Sequence, residues 1–104
     1  MQGYDHIIIG QGIAGSVLAM QLMEKNKKIL VIDALSISSS SKVAAGIWNP
    51  VVFKRLTRSW MADEILPEMF SFYLKAEKKT KNKFLHVRNI AKQFTEEQEK
   101  SLWK

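Results

Sequence analysis

The feature that most constrains this chain is the pattern G-x-G-x-x-G at residues 10–15, which lies between two apolar segments. The segment before it, Tyr4–Ile9, is short and β-branched, and it predicts a buried parallel strand that ends at the first glycine. Apolar residues at helical spacing over 13–25 predict a helix, and Ile29–Ile32 predicts a second buried strand. Strand, tight turn, helix and strand within about 30 residues correspond to one right-handed βαβ crossover.

Each glycine of the pattern has a separate physical role in such a turn. Gly10 permits the tight turn, Gly12 lets the backbone approach a diphosphate because it has no Cβ, and Gly15 lets the helix pack closely on the strand. The diphosphate then lies at the helix N-terminus, where free N–H groups, including those of Ile13 and Ala14, and the positive end of the helix dipole stabilise it. The pattern thus predicts a dinucleotide-binding turn.

An acidic residue ends the second predicted strand. Asp33 follows Gly15 after seventeen intervening residues, and a carboxylate at that position accepts hydrogen bonds from the hydroxyl groups of an adenosine ribose. The same carboxylate would repel a 2′-phosphate, which argues against NADP. We therefore count Asp33 and the adjacent Ala34 among the candidate cofactor-binding residues. The fingerprint alone leaves the choice between FAD and NAD open.

Two strings of the sequence resemble one family. The string YDHIIIGQGIAGSVLA, which begins at Tyr4, resembles the N-terminal signature of FAD-dependent oxidoreductases. The string SKVAAGIWNP, at residues 41–50, is similar to the loop of the D-amino-acid oxidase and glycine oxidase superfamily that passes under the pyrophosphate and beside the flavin ring. Small side chains suit such a loop because the backbone must reach the cofactor. The resemblance implies that five further residues face FAD, mostly through backbone N–H groups: Ser41, Lys42, Ala44, Ala45 and Gly46.

The resemblance also implies a fold and an activity. The fold would be α/β, with residues 1–50 forming an incomplete Rossmann-type FAD/NAD(P)-binding βαβ unit and residues 51–104 beginning an α+β substrate domain. The intact protein would oxidise an amine or amino acid by hydride transfer to the flavin, and no catalytic residue is assigned because the cofactor performs the redox chemistry. Asp33 departs from the family, which more often has Glu at this position.

The later part of the chain carries weaker signals. Residues 36–42 are serine-rich, which is typical of a linker or of a polar loop that lines a ligand crevice. Residues 43–53 indicate a loop with a short extended piece, and a helix is predicted over about 60–79, with Pro67 either in its first turn or at a kink.

Two further elements are predicted near the end of the chain. Residues 84–94 contain β-branched and aromatic positions with partial alternation, which predicts one strand or a hairpin. The sequence TEEQ at residues 95–98 predicts a capping box that opens a last short helix, which reaches Lys104.

Composition excludes several classes of function. The chain has no cysteine, and His6 and His86 have no ligand-like spacing, so no metal site is expected. The net charge of +6 includes a lysine run over 75–83, but arginine is absent from that run, so a nucleic-acid partner is not expected. Apolar runs fall far short of the roughly 20 residues of a membrane-spanning helix, and no signal peptide is recognised, so we expect a cytoplasmic protein.

Two alternatives stay open at this stage. The first is a Rossmann module for NAD or S-adenosylmethionine, which would share the acidic residue at the end of the second strand. The second follows from length, because members of the family need strands beyond residue 104. The chain would then be an N-terminal fragment that is inactive alone and self-associates through uncovered apolar surface.

Overall fold

The computed structural model describes residues 3–52, 55 and 57–102. The chain forms two compact units, Met1–Trp48 and Asn49–Lys104. Each unit has its own long helix and its own two-stranded sheet.

The first unit contains the predicted strand, helix and strand. Strand β1 spans His6–Ile9, helix α1 spans Ile13–Glu24 and strand β2 spans Ile29–Ile32. The two strands pair in parallel, with His6 opposite Ile29 and Ile9 opposite Ile32. A short helix, α2, spans Ser40–Val43, inside the segment whose sequence indicated only a loop or linker. The small parallel sheet confirms the mixed α/β class.

Helix α1 ends in a motif that sets the start of β2. Asn26 has a left-handed backbone with φ of 55°, a conformation that asparagine tolerates better than most residues. The N–H of Asn26 donates to the Met23 carbonyl at 3.0 Å, and the N–H of Lys27 donates to the Leu22 carbonyl at 3.0 Å. This pair of bonds is the Schellman arrangement, which satisfies helix-terminal carbonyls and turns the chain. The strand then begins at Ile29.

The strands are less buried than their composition predicts. Among the described residues of this unit, only Ile8 and Ala19 are buried hydrophobic residues. Helix α1 covers the face of the sheet that carries Ile8, whose Cγ2 lies 3.4 Å from the Cβ position of Gly15. Ile7 and Ile9 are 62% and 86% exposed. The prediction of two buried strands is therefore wrong for this chain, because one helix covers only one face of a two-stranded sheet.

The second unit contains a small hairpin and the longest helix. Strands β3, Val51–Val52, and β4, Thr57–Arg58, pair in antiparallel fashion. The sequence predicted an extended piece at β3 but not β4, and Phe53, the end of that predicted loop, lies outside the described residues. Helix α3 spans Ala62–Thr80, close to the predicted 60–79. Pro67 is its sixth residue and lies in the second turn, so the first-turn alternative is wrong and the kink stays a prediction.

The segment after α3 is held by a side chain and not by a sheet. Over residues 84–94, all of them described, no strand forms, so that prediction is wrong. The N–H groups of Phe84 and Leu85 donate to Oε1 of Glu77 at 2.9 and 2.7 Å, and Lys83 Nζ lies 3.1 Å from Oε2. The Glu77 side chain is only 10% exposed. A carboxylate thus supplies the acceptors that a neighbouring strand would otherwise provide.

We expect Glu77 to stabilise the second unit in a pH-dependent way. Hydrogen bonds from the N–H groups of Leu85 and Phe84, and then the Lys83 ammonium, lower the pKa of Glu77. A lowered folded-state pKa contributes stability that is present above the unfolded value of about 4.3 and is lost as pH falls through the folded value. Glu77→Gln should lower the Tm by a few degrees at pH 7 and by much less near pH 3.

Thermal unfolding followed by circular dichroism at several pH values measures this effect. Glu68→Gln, in an exposed glutamate of the same helix, is the matched control and should change the Tm little at either pH. Equal Tm losses in the two variants, or a loss that does not depend on pH, would contradict the role given to Glu77.

The last helix is capped differently from its prediction. Helix α4 spans Glu97–Leu102, and the predicted end at Lys104 lies outside the described residues. Glu99, and not Gln98, reaches back to the N–H of Thr95, with its Oε2 at 3.0 Å. Its other oxygen lies 2.6 Å from Lys92 Nζ, so the ion pair selects Glu99 for this contact. The predicted capping box is therefore wrong in the residue that accepts the Thr95 N–H, which is Glu99 and not Gln98.

Candidate functional site

The glycine pattern forms a turn at the end of β1 that closes against the end of β2. Gly10 has φ of 95°, a conformation that residues with a Cβ rarely adopt. Its N–H donates to the carbonyl of Ile32 at 2.7 Å, which extends the pairing of the strands by one bond. A side chain at Gly10 would strain the turn even though nothing lies within 4 Å of its Cβ position.

Gly15 gives the closest approach in the unit. A Cβ built on Gly15 would collide with the carbonyl oxygen of Gly10 and would lie 3.4 Å from Cγ2 of Ile8. The first turn of α1 therefore rests directly on the glycine turn and on β1. This is the close helix–strand packing that the third glycine of the pattern was predicted to allow.

Gly12 lies at the start of α1 beside a serine from α2. It is the N-cap residue, with φ of −70° and ψ of −172°, and a Cβ there would lie 2.9 Å from Oγ of Ser41. That Oγ accepts a hydrogen bond from the N–H of Ile13 at 2.9 Å. The structure thus brings Ser41 to the helix N-terminus, so this end of residues 36–42 contacts the first unit and is not a free linker.

Asp33 also faces the turn. Its Oδ2 accepts the N–H of Gln11 at 2.5 Å, and its Oδ1 accepts the N–H of Leu35 at 2.7 Å. The hydrogen bond from the Gln11 N–H lowers the pKa of Asp33 most, and the bond from the Leu35 N–H lowers it next. The charge of the Lys42 ammonium makes a smaller contribution in the same direction. The carboxylate is therefore ionised at neutral pH and carries a negative charge beside the glycine turn.

The start of α1 keeps main-chain donors available. The first N–H groups of a helix have no acceptor within the helix. The N–H of Ile13 is met by Ser41, while among the described residues no main-chain acceptor outside the helix is found for Ala14 or Gly15. These donors and the positive end of the helix dipole make the turn suitable for an anion.

No hydrogen bond in the described part of the chain joins the remaining predicted residues to this turn. Lys42 Nζ donates to the carbonyl of Ser36 at 3.1 Å. Ala44 is the C-cap residue after α2, and Gly46 has φ of 68° with nothing within 4 Å of its Cβ position. Three further residues of the set are exposed: Ala14, Ala34 and Ala45.

Sequence reasoning missed two main-chain groups of the site. Gln11 and Leu35 supply the N–H groups that Asp33 accepts. Gln11 stands within the glycine pattern, so its backbone could have been assigned from the motif. Nothing in the sequence indicated a role for Leu35, because that role depends on a left-handed backbone, with φ of 55°, that leucine disfavours.

Two other kinds of feature are absent from the described residues. No group of three or more histidine, cysteine or acidic side chains in this part of the chain has the arrangement of a metal site. Within the same residues, no helix combines the length and the apolar character that crossing a bilayer requires.

The described elements define a mixed α/β protein in which a parallel strand pair presents a glycine turn at a helix N-terminus. A family model described as FAD dependent oxidoreductase matches residues 5–100, which is most of the chain. The chain therefore belongs to this family of FAD-dependent oxidoreductases, and the resemblance seen in its sequence is confirmed. No solved structure matches the chain.

Proposed function

We propose that the first unit is a Rossmann-type unit that binds the ADP part of FAD. The observation that supports this most is the arrangement at the start of α1, where free N–H groups, the Ser41 hydroxyl and the Asp33 carboxylate lie around one glycine turn. Main-chain donors at a helix N-terminus suit the two charges of a diphosphate, and an adjacent carboxylate suits the hydroxyl groups of a ribose.

The residues present fit this group of the cofactor. A Cβ at Gly12 would lie 2.9 Å from the Ser41 hydroxyl, so the missing side chain is what lets Ser41, and in this proposal the diphosphate, approach the main chain there. The diphosphate would be held by five residues of the glycine turn and the start of α1: Gly10, Gly12, Ile13, Ala14 and Gly15. Asp33 and Ala34 would contact the ribose. Each Asp33 oxygen accepts one hydrogen bond here and has a second lone pair for a hydroxyl.

The loop after α2 would lie nearer the flavin. In this proposal, five residues contact it, mostly through main-chain groups: Ser41, Lys42, Ala44, Ala45 and Gly46. When bound, the flavin supplies the acceptor for a hydride, and the intact protein oxidises an amine or amino acid. The substrate class rests on the resemblance of residues 41–50 to the D-amino-acid oxidase and glycine oxidase loop. Anaerobic bleaching of the flavin by such substrates tests it.

Titration calorimetry of the chain with FAD, ADP, NADP, NAD and S-adenosylmethionine tests the cofactor. We expect both FAD and ADP to bind, and FAD to bind more tightly, because residues 41–46 of the same unit are proposed to contact the flavin. NADP should bind much more weakly, because the ionised Asp33 repels its 2′-phosphate. Tighter binding of NAD or S-adenosylmethionine than of FAD would contradict the proposal and favour a different nucleotide module.

A further inference from the structure

We infer that Asp33 is a positioning residue that holds the glycine turn in its ligand-accepting shape before any ligand arrives. The inference rests on the proposed function of that turn. Main-chain pairing between the two strands ends with the bond from Gly10 N to Ile32 O at 2.7 Å. One residue further on, the Asp33 carboxylate accepts the N–H of Gln11 at 2.5 Å and continues the connection.

The same carboxylate also holds the chain that leaves β2. Its Oδ1 accepts the N–H of Leu35 at 2.7 Å. Leu35 has φ of 55°, which is unfavourable for a residue with a bulky side chain, and it is 74% exposed. Packing of an exposed side chain does not account for this conformation, whereas a hydrogen bond to its backbone does. Asp33 thus bridges the turn after β1 and the turn after β2.

Side-chain length is central to this role. Glutamate at this position would carry its carboxylate one methylene further from the main chain. The two N–H groups that Asp33 accepts lie at short range, 2.5 and 2.7 Å from its oxygens. We expect a longer side chain to keep the charge and to lose this bridge.

Asp5 offers a matched comparison at the opposite end of the same strands. Its Oδ2 accepts the N–H of Lys28 at 2.7 Å, and it is exposed. Asp5 therefore shares with Asp33 the residue type, the unit and the kind of hydrogen bond. It does not contact the glycine turn, so its loss should leave that turn unchanged.

Amide hydrogen exchange of the ligand-free chain, resolved by NMR, tests the inference. In Asp33→Ala the N–H groups of Gln11 and Leu35 should exchange about tenfold faster or more, because each loses a bond to a charged acceptor. Asp33→Asn keeps one acceptor oxygen and should retain protection at only one of the two. Asp33→Glu should also lose protection although its charge is unchanged.

Two readouts separate positioning from general stability. Amides inside α1, such as that of Ala19, should exchange at the wild-type rate in Asp33→Asn, and Asp5→Ala should leave the Gln11 amide unchanged. The inference is overturned if Gln11 exchanges equally in wild type, Asp33→Ala and Asp33→Glu, or if α1 amides accelerate as much as Gln11. No ligand is present, so a failure to bind FAD or ADP would count against the proposed function alone.

Discussion

Replacing Gly15 by alanine is expected to destabilise the first unit by about 3 kcal/mol, the upper part of the range for overpacked interiors. The added Cβ would collide with the carbonyl oxygen of Gly10, which is main chain and cannot rotate away. Helix α1 would have to move off β1, and the buried contact of Ile8 would be lost with it. Urea denaturation followed by far-ultraviolet circular dichroism measures the change.

Gly3→Ala is the matched control for this prediction. Nothing lies within 4 Å of the Cβ position of Gly3, so the same substitution there should change stability by no more than about 0.5 kcal/mol. Unfolding free energies that are equal for the two variants would show that α1 does not rest on the glycine turn. In that case the packing described for the first unit would be wrong.

Replacing Gly12 by alanine is expected to abolish most nucleotide binding while the fold persists. Its φ of −70° suits any residue, and the added Cβ would meet the Ser41 hydroxyl at 2.9 Å, which can rotate away. Stability should therefore fall by less than about 1 kcal/mol. Affinity for ADP should fall about a hundredfold, because the methyl group fills the space where main chain and diphosphate approach each other.

A second substitution separates the two effects of that methyl group. Ser41→Ala removes the hydroxyl that the new Cβ would meet, and with it the acceptor of the Ile13 N–H, so Gly12→Ala should cost less stability when it is added to Ser41→Ala than when it is added to wild type. The double variant should not recover affinity for ADP in calorimetry, since the methyl group is still present. Recovery of both properties would mean that Gly12 serves only to accommodate Ser41, and the diphosphate contact proposed for it would be withdrawn.

The two glycines illustrate how much of the site a local pattern carries. The order of strand, turn and helix followed from β-branched and helical spacing, and the structure has α1 begin at Ile13, as predicted. The roles of Gly10 and Gly15 were predictable because they depend on a backbone angle and on a neighbour only five residues away. The binding roles of all the candidate residues stay predictions, which the variants above test.

Contacts between segments that are distant in the sequence were harder to predict. The family resemblance suggested that Ser41 lies near the cofactor, but its bond to Ile13 N, 28 residues away, appeared only in the fold. Residues 84–94 have the composition of a strand, yet Glu77 accepts their first N–H groups and no partner strand is available in the described chain. The composition of a segment indicates which secondary structure it could form, but it does not indicate which other segment lies beside it.

By itself the amino-acid sequence determined the family, the strand–helix–strand order and the position of the glycine turn, because each depends on residues close together in the chain. Only the tertiary structure decided which groups complete that turn. Asp33 bonds Gln11 across 22 residues and holds Leu35 in a conformation its type disfavours. The tertiary structure also decided that Ile7 and Ile9 are exposed, because burial depends on how many layers cover a sheet and not on the strand alone.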